Sequence, residues 1–125
     1  MSRIKHVHAR RIWDSRGRPT VEVDVITESG ALGRGIAPAG ASRGTREAIE
    51  RRDGGSRFGG LDVMQAVQGI QTEIAPALLG LDVIEQERID TLLIALDGTA
   101  DKSRLGGNAL IATSLAVLHA AAADA

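Results

Sequence analysis

At 125 residues the chain has the length of one domain and can bury roughly two-thirds of its unfolded surface in a single core. Its formal net charge of -1 argues against a nucleic-acid footprint or a membrane-surface patch, and the absence of cysteine excludes disulfides and thiolate metal sites. Hydrophobic residues make up 43% but aromatic ones only 2%, so a core has to be built from Val, Ile, Leu and Ala, and no apolar run approaches the length of a bilayer span. No charged-then-apolar leader opens the chain, which makes the cytoplasm the expected compartment.

Ile4 to Trp13 reads as a first strand. Val21, Val23 and Val25 alternate with Thr20, Glu22 and Asp24, the period of a half-buried second strand. Glu28-Ser29-Gly30 is a turn signal, after which Leu32, Arg34 and Ile36 alternate with small residues as in a third strand. Connections this short favour an antiparallel meander. Pro38-Ala39-Gly40-Ala41-Ser42-Arg43-Gly44 follows. A backbone so unencumbered moves easily or comes close to a ligand, with the Ser42 hydroxyl and the Arg43 charge projecting from it. The same residues also read as an ordinary strand-to-helix connection in which Ser42 or Thr45 caps the helix.

From Gly44 onward the period is helical. A short helix is expected from about Thr45 to Arg52, ending at Asp53-Gly54-Gly55. Asp62 with Gln65 has the spacing of a capping box, and Val63, Val67, Ile70, Ile74 and Leu78 then form one apolar stripe. Pro76 should kink or end that helix, and Gly80 is a stop signal. Asp82 with Glu85 repeats the capping pattern before the stripe Ile89, Leu92, Leu93, Leu96, stopped at Asp97-Gly98. The last helix, from about Asn108 to Ala123, is apolar or small almost all round. It fits either the centre of a small bundle or a surface that something else covers. The chain closes on Ala120 to Ala125 with the helical pattern still running, as a truncated reading frame would. Three strands followed by about four helices make an α+β fold, without internal repeat, low-complexity tract or linker.

Isolated candidates add little. His6 and His8 share a strand face but lack a third metal ligand, and His119 stands apart. Asp97, Asp101 and Glu28 have no metal-site spacing, and there is no Ser/His/Asp arrangement or Gly-Lys phosphate loop. Trp13 and Phe58 read as packing residues rather than a stacking platform.

Taken in order, Asp14-Ser15-Arg16-Gly17-Arg18-Pro19-Thr20-Val21-Glu22-Val23, the Gly40-Ala41-Ser42 loop, Arg46-Glu47-Ala48-Ile49-Glu50-Arg51-Arg52-Asp53-Gly54, Ile74-Ala75-Pro76-Ala77-Leu78, Leu96-Asp97-Gly98-Thr99 and Lys102-Ser103-Arg104-Leu105-Gly106-Gly107-Asn108-Ala109 resemble the amino-terminal domain of the enolase family, the phosphopyruvate hydratases of glycolysis. The resemblance covers essentially the whole chain. It implies that residues 1–125 are a capping domain and that the catalytic carboxy-terminal barrel lies outside it. In such a full-length enzyme, Mg²⁺-dependent dehydration turns 2-phosphoglycerate into phosphoenolpyruvate. The base and the metal-binding carboxylates come from the barrel, so no catalytic residue is expected in this chain. Gly40, Ala41, Ser42, Arg43 and Gly44 match the family's mobile flap, in which Ser42 would bind the second Mg²⁺ and closure would exclude water. Arg10 and Glu22 match positions that pair with the barrel of the neighbouring subunit in a homodimer, with Arg16 near them. By itself the chain is expected to be inactive and to bind no Mg²⁺, no nucleic acid and no membrane.

Three departures from the family pattern stand out. Ala39 replaces the serine of the usual Pro-Ser-Gly, Arg43 replaces the threonine after the metal-binding serine, and the stretch at Gly55-Ser56-Arg57 is shortened. A guanidinium at Arg43 suits a phosphate or an extra carboxylate, or it is a solvated loop charge. Two alternatives therefore stand beside a true enolase. One is a paralogue acting on a related phospho- or phosphono-carboxylate. The other is a stand-alone, non-catalytic interaction module that docks through its last helix.

Overall fold

The alternating valines lie on the middle strand of a three-stranded antiparallel sheet in the computed structural model, which describes residues 2–37, 50–55, 57–60, 62–100 and 102–125. The strands β1 (Ile4–Trp13), β2 (Pro19–Thr27) and β3 (Leu32–Ile36) lie in chain order, as a meander. Their register sets Val7 opposite Val25, Ala9 opposite Val23, Arg10 opposite Glu22, and Asp24 between His8 and Arg34. The first hairpin is tied by Asp14, whose Oδ1 accepts the amides of Arg16 and Arg18, both at 2.9 Å, while Gly17 takes a φ of +77°.

One face of the sheet holds Val7, Ala9, Val21, Val23 and Val25, all buried. On β3 the inward residues are not Leu32, Arg34 and Ile36, which are exposed, but the glycines between them. The helix α4 (Gly107–Asp124) lies directly across Gly33 and Gly35. A Cβ built on Gly33 would sit 2.1 Å from the Ala116 carbonyl oxygen, and one on Gly35 would sit 2.2 Å from that of Ala112. Ala112, Ala116 and Ala120, one turn apart on α4, are fully buried. Glycine facing alanine lets the two backbones touch, while the larger buried side chains, Ile70, Ile74, Leu78, Ile89 and Leu105 among them, lie elsewhere in the core. Of the two expectations for the last helix, neither holds whole. It is buried on the sheet side, yet Ile111 and Leu118 remain 44% and 50% exposed.

The middle helix forms as one run in three pieces: α1 (Met64–Gly69), a wider π-turn (Ile70–Ile74) and α2 (Ala75–Leu78). Its stripe of Val63, Val67, Ile70, Ile74 and Leu78 is buried as expected. The π-turn ends just before Pro76, and the Ala75 amide reaches back to the Ile70 carbonyl. A proline ring crowds the carbonyl four residues earlier, and one wider turn relieves that crowding without breaking the helix. The run stops at Leu78, and Gly80 turns the chain with a φ of +85°.

The capping boxes do not form. The amides of Met64 and Gln65 donate to the Asp53 carboxylate at 3.1 and 2.8 Å, so α1 is capped from another segment. Asp62 accepts the Val63 amide at 2.8 Å and two hydrogen bonds from Arg11, at 3.0 and 3.1 Å. Asp82 accepts the Ile84 amide in a local turn, and α3 (Gln86–Asp97) starts after it without a side-chain cap. Gly98, left-handed at φ +72°, ends α3 where expected. The helix expected at Thr45 to Arg52 lies outside the described residues as far as position 49; Glu50, Arg51 and Arg52 are not helical, and both backbone groups of Arg51 are taken by the Asn108 side chain. Trp13 and Phe58 do pack, but on the surface. Their rings meet edge to face at 5.0 Å under the Arg11 guanidinium, and both stay about half exposed.

Candidate functional site

The flap residues Gly40, Ala41, Ser42, Arg43 and Gly44, with Ala39, lie outside the described residues. The two feet of that segment are described, and both rest on the start of β2. At the first foot the Ala37 amide donates to the Val21 carbonyl at 2.9 Å, and the Thr20 hydroxyl donates to the Ala37 carbonyl at 2.7 Å. At the second foot the Arg52 guanidinium donates to the Pro19 carbonyl at 2.5 Å and pairs with Glu50 at 2.9 Å. Adjacent residues of one strand thus hold both ends of the segment that carries Ser42.

The second foot is a strap across the helical half. The Asn108 side chain, 3% exposed, takes both backbone groups of Arg51: Oδ1 accepts its amide at 2.9 Å and Nδ2 donates to its carbonyl at 3.1 Å. The Arg51 guanidinium donates to the Arg104 carbonyl at 2.8 Å, and the Asp53 amide donates to the Asp62 carbonyl at 2.8 Å. The contacts of Arg51 join residues more than fifty positions apart, which is why Asn108 had no legible role in the sequence beyond its place in a motif.

The outer face of the sheet gathers the other candidates. Arg10 donates to both Glu22 and Asp24, and Arg34 donates to Asp24 at 2.7 Å and approaches Glu22 at 3.7 Å. The Arg34 and Arg10 guanidiniums hold the Asp24 carboxyl down at about 2. Arg10 and Glu22 thus pair with each other within the chain, a contact distinct from the pairing with a neighbouring subunit's barrel that the resemblance implies. Arg16 sits in the first hairpin turn, exposed, and its amide closes that turn. Sequence reasoning singled out neither Asp24 nor Arg34. The signal was present: Asp24 is in phase with Glu22 on β2, and Arg34 is in phase with the outward face of β3.

The remaining candidates do not converge. His6 and His8 are exposed on the outer face, and His119 Nδ1 lies 2.5 Å from the Arg34 carbonyl oxygen. Asp97 is buried at the end of α3, where it accepts the amides of Thr99 at 3.0 Å and Leu105 at 2.7 Å from the loop that follows. Burial pushes its pKa up, but the Thr99 hydroxyl and the loop amides outweigh that and lower it overall. Asp101 lies outside the described residues. Among the described residues no three His, Cys, Asp or Glu side chains are placed to hold a metal, and no helix is long and apolar enough to cross a membrane. A groove of about 240 Å³ runs between α3 and α4, walled by Leu93, Ile94, Leu110 and Ile111, with Asp90 and Lys102 at its rim.

Residues 4–125 match the protein family described as enolase, N-terminal domain. The chain is 56% identical over 122 residues to a protein named Enolase 2 from Pseudomonas syringae pv. syringae (strain B728a). The alignment takes in 97% of this chain but only 29% of that relative, so the chain spans less than a third of the length of the protein it matches.

Proposed function

The chain belongs to the enolase amino-terminal domain family, and from that membership we propose that residues 1–125 act as the capping domain of a longer lyase that dehydrates 2-phosphoglycerate to phosphoenolpyruvate. The observation that carries this reading is the match of the whole chain, Ser42 segment included, to less than a third of a protein named Enolase 2. A partner barrel, continuous with this domain, would supply the proton-abstracting base and the metal-binding carboxylates. The domain's part is to hold and deliver the flap.

Magnesium, when bound, supplies positive charge to the carboxylate side of the reacting substrate. The donor set of this chain fits a minor share in that. A serine hydroxyl is a hard oxygen ligand of the kind Mg²⁺ accepts, but it brings no charge. Among the described residues, the carboxylates near the flap's feet are already engaged: Asp53 caps α1, Asp62 pairs with Arg11 and Glu50 pairs with Arg52. Ser42 is thus suited to complete a site whose charge comes from elsewhere, and Gly40 to Gly44 to exclude water over it. The chain alone should give no specific heat when titrated with Mg²⁺.

The outer face of the sheet is proposed as the dimer contact, through Arg10 and Glu22, with Arg16 at its margin. Exposed Leu32 and Ile36 frame the ion cluster, which supports a covered rather than a wet surface. With neither a membrane-spanning helix among the described residues nor a basic surplus, the expected setting is the cytoplasm.

The test is an assay of the full-length gene product with 2-phosphoglycerate and Mg²⁺, beside its Ser42→Ala variant and the isolated 125 residues. The full-length protein should be active, the variant should lose about 100-fold or more in kcat, and the isolated chain should be inert. A full-length product that leaves 2-phosphoglycerate untouched, or a Ser42→Ala variant as fast as the parent, would sink the reading. Arg43→Thr in the same assay, run against phosphono-carboxylates, separates an enolase from a paralogue.

A further inference from the structure

We infer that Asn108 is a positioning residue for the flap: its side-chain amide, seated on the backbone of Arg51, fixes the second foot of the segment that carries Ser42. The inference rests on the proposed role of Ser42 and adds a residue remote from it in sequence. An asparagine at an N-cap turns its oxygen to its own helix's free amides, whereas Asn108 stands inside α4, two residues past the N-cap Gly106. It makes no such bond, and α4 has no side-chain cap. Both ends of the amide go instead to Arg51, as a neighbouring strand's backbone would, at 2.9 and 3.1 Å. Only a side chain with donor and acceptor in one plane can do this; Asp lacks the donor and Leu lacks both.

A second feature serves the same seat. Gly106 takes a φ of +102°, and a Cβ there would lie 2.5 Å from the Cβ of Arg51 and 2.8 Å from its amide nitrogen. The glycine clears the place that the asparagine fills. Gly106 and Asn108 therefore place Arg51 on the amino-terminal end of α4, while Arg52 is held to Pro19 and the first foot to Thr20 and Val21. Both described feet, at Ala37 and at Arg51–Arg52, are thereby fixed to the same framework. A misplacement of about 1 Å, arising far from the chemistry, can cost about 100-fold in rate.

The experiment uses the full-length gene product with Asn108→Asp, and with Asn108→Ser should the aspartate variant fail to fold. Ser114→Ala is the comparison, because Ser114 lies on the same helix and bonds Asp90 at 2.7 Å without touching the strap. Two quantities are read: kcat and KM, and amide hydrogen exchange over residues 37–54. The expected result is a fall of about ten-fold or more in kcat with faster exchange at Arg51 and Arg52, against a change within about two-fold for Ser114→Ala. The inference is overturned if the Asn108 variant keeps kcat within about two-fold of the parent, or if Ser114→Ala lowers kcat as much at a similar loss of melting temperature. Ser42→Ala separates the two levels. If it abolishes activity while the Asn108 variants are silent, this inference alone fails; if it leaves activity intact, the proposed function fails with it.

Discussion

Asp24 shows how one side chain organises a face. Its carboxylate is 11% exposed and accepts hydrogen bonds from Arg34 and Arg10, which hold its pKa at about 2 against an ordinary 3.8. A carboxyl whose folded-state pKa is depressed adds stability above its unfolded pKa and loses it as the pH falls through the folded value. The window therefore runs from about pH 5 down to about pH 2. That depression corresponds to about 2 kcal/mol, and the 53% exposure of Arg34 brings the expected contribution to about 1–2 kcal/mol. In chemical unfolding, Asp24→Asn should be less stable than the parent by about that amount at pH 6, and the gap should close by pH 2. A gap of equal size at both ends of the range would show that the charge is not what Asp24 contributes.

At the scale of the element, β3 and α4 make a close backbone contact, and its cause is an absence of side chains. Gly33 and Gly35 face Ala112, Ala116 and Ala120, so α4 lies on the strand backbone itself. Gly33→Ala or Gly35→Ala would place a methyl about 2 Å from helix backbone that cannot swing aside, and should cost about 3 kcal/mol or more. Gly30→Ala, with no atom within 4 Å of the added Cβ but with φ at +90°, should cost about 1 kcal/mol from backbone strain alone. Thermal unfolding of the variants ranks them, and a Gly33→Ala protein as stable as Gly30→Ala would mean that the helix can lift off the strand. This element also marks what the sequence yields. The strands, the buried stripe of the middle helix and the stop at Gly98 follow local periods and turn residues, and all were legible. The cap of α1 and the seat of Arg51 were not, because Asp53 and Asn108 serve segments that only the folded chain brings to them. Local reading assigned the cap to Asp62, the nearest acid, whereas Arg11 on β1 claims it. Of the candidate site, the resemblance singled out Arg10 and Glu22 one by one, while their pairing with each other and the part of Asp24 and Arg34 needed the register of the sheet.

For the whole molecule the outer face of the sheet poses the question of what covers it. Arg10, Glu22, Asp24 and Arg34 satisfy one another within the chain, so the ion cluster by itself demands no partner. The apolar residues around it are harder to explain on a wet surface: Leu32 is 46% exposed and Ile36 43%, in register with Ile26 and Glu22 on the same face. Covering each would contribute about 1 kcal/mol, and setting a carboxylate in its place would remove that and add an unpaired charge to the contact. Folding should tolerate the change, since neither side chain is in the core. The proposed dimer of the full-length protein should not. Leu32→Asp with Ile36→Asp is expected to weaken it by several kcal/mol, 100-fold or more in dissociation constant as an order of magnitude, leaving a monomer with an unchanged circular dichroism spectrum. Arg10→Ala with Glu22→Ala should weaken it less, because Asp24 and Arg34 keep part of the cluster paired. Light scattering coupled to size exclusion reads both. If the doubly charged variant keeps the parent's mass, the outer face is not the contact, and the apolar residues of α4 at Ile111 and Leu118 become the surface to mutate next.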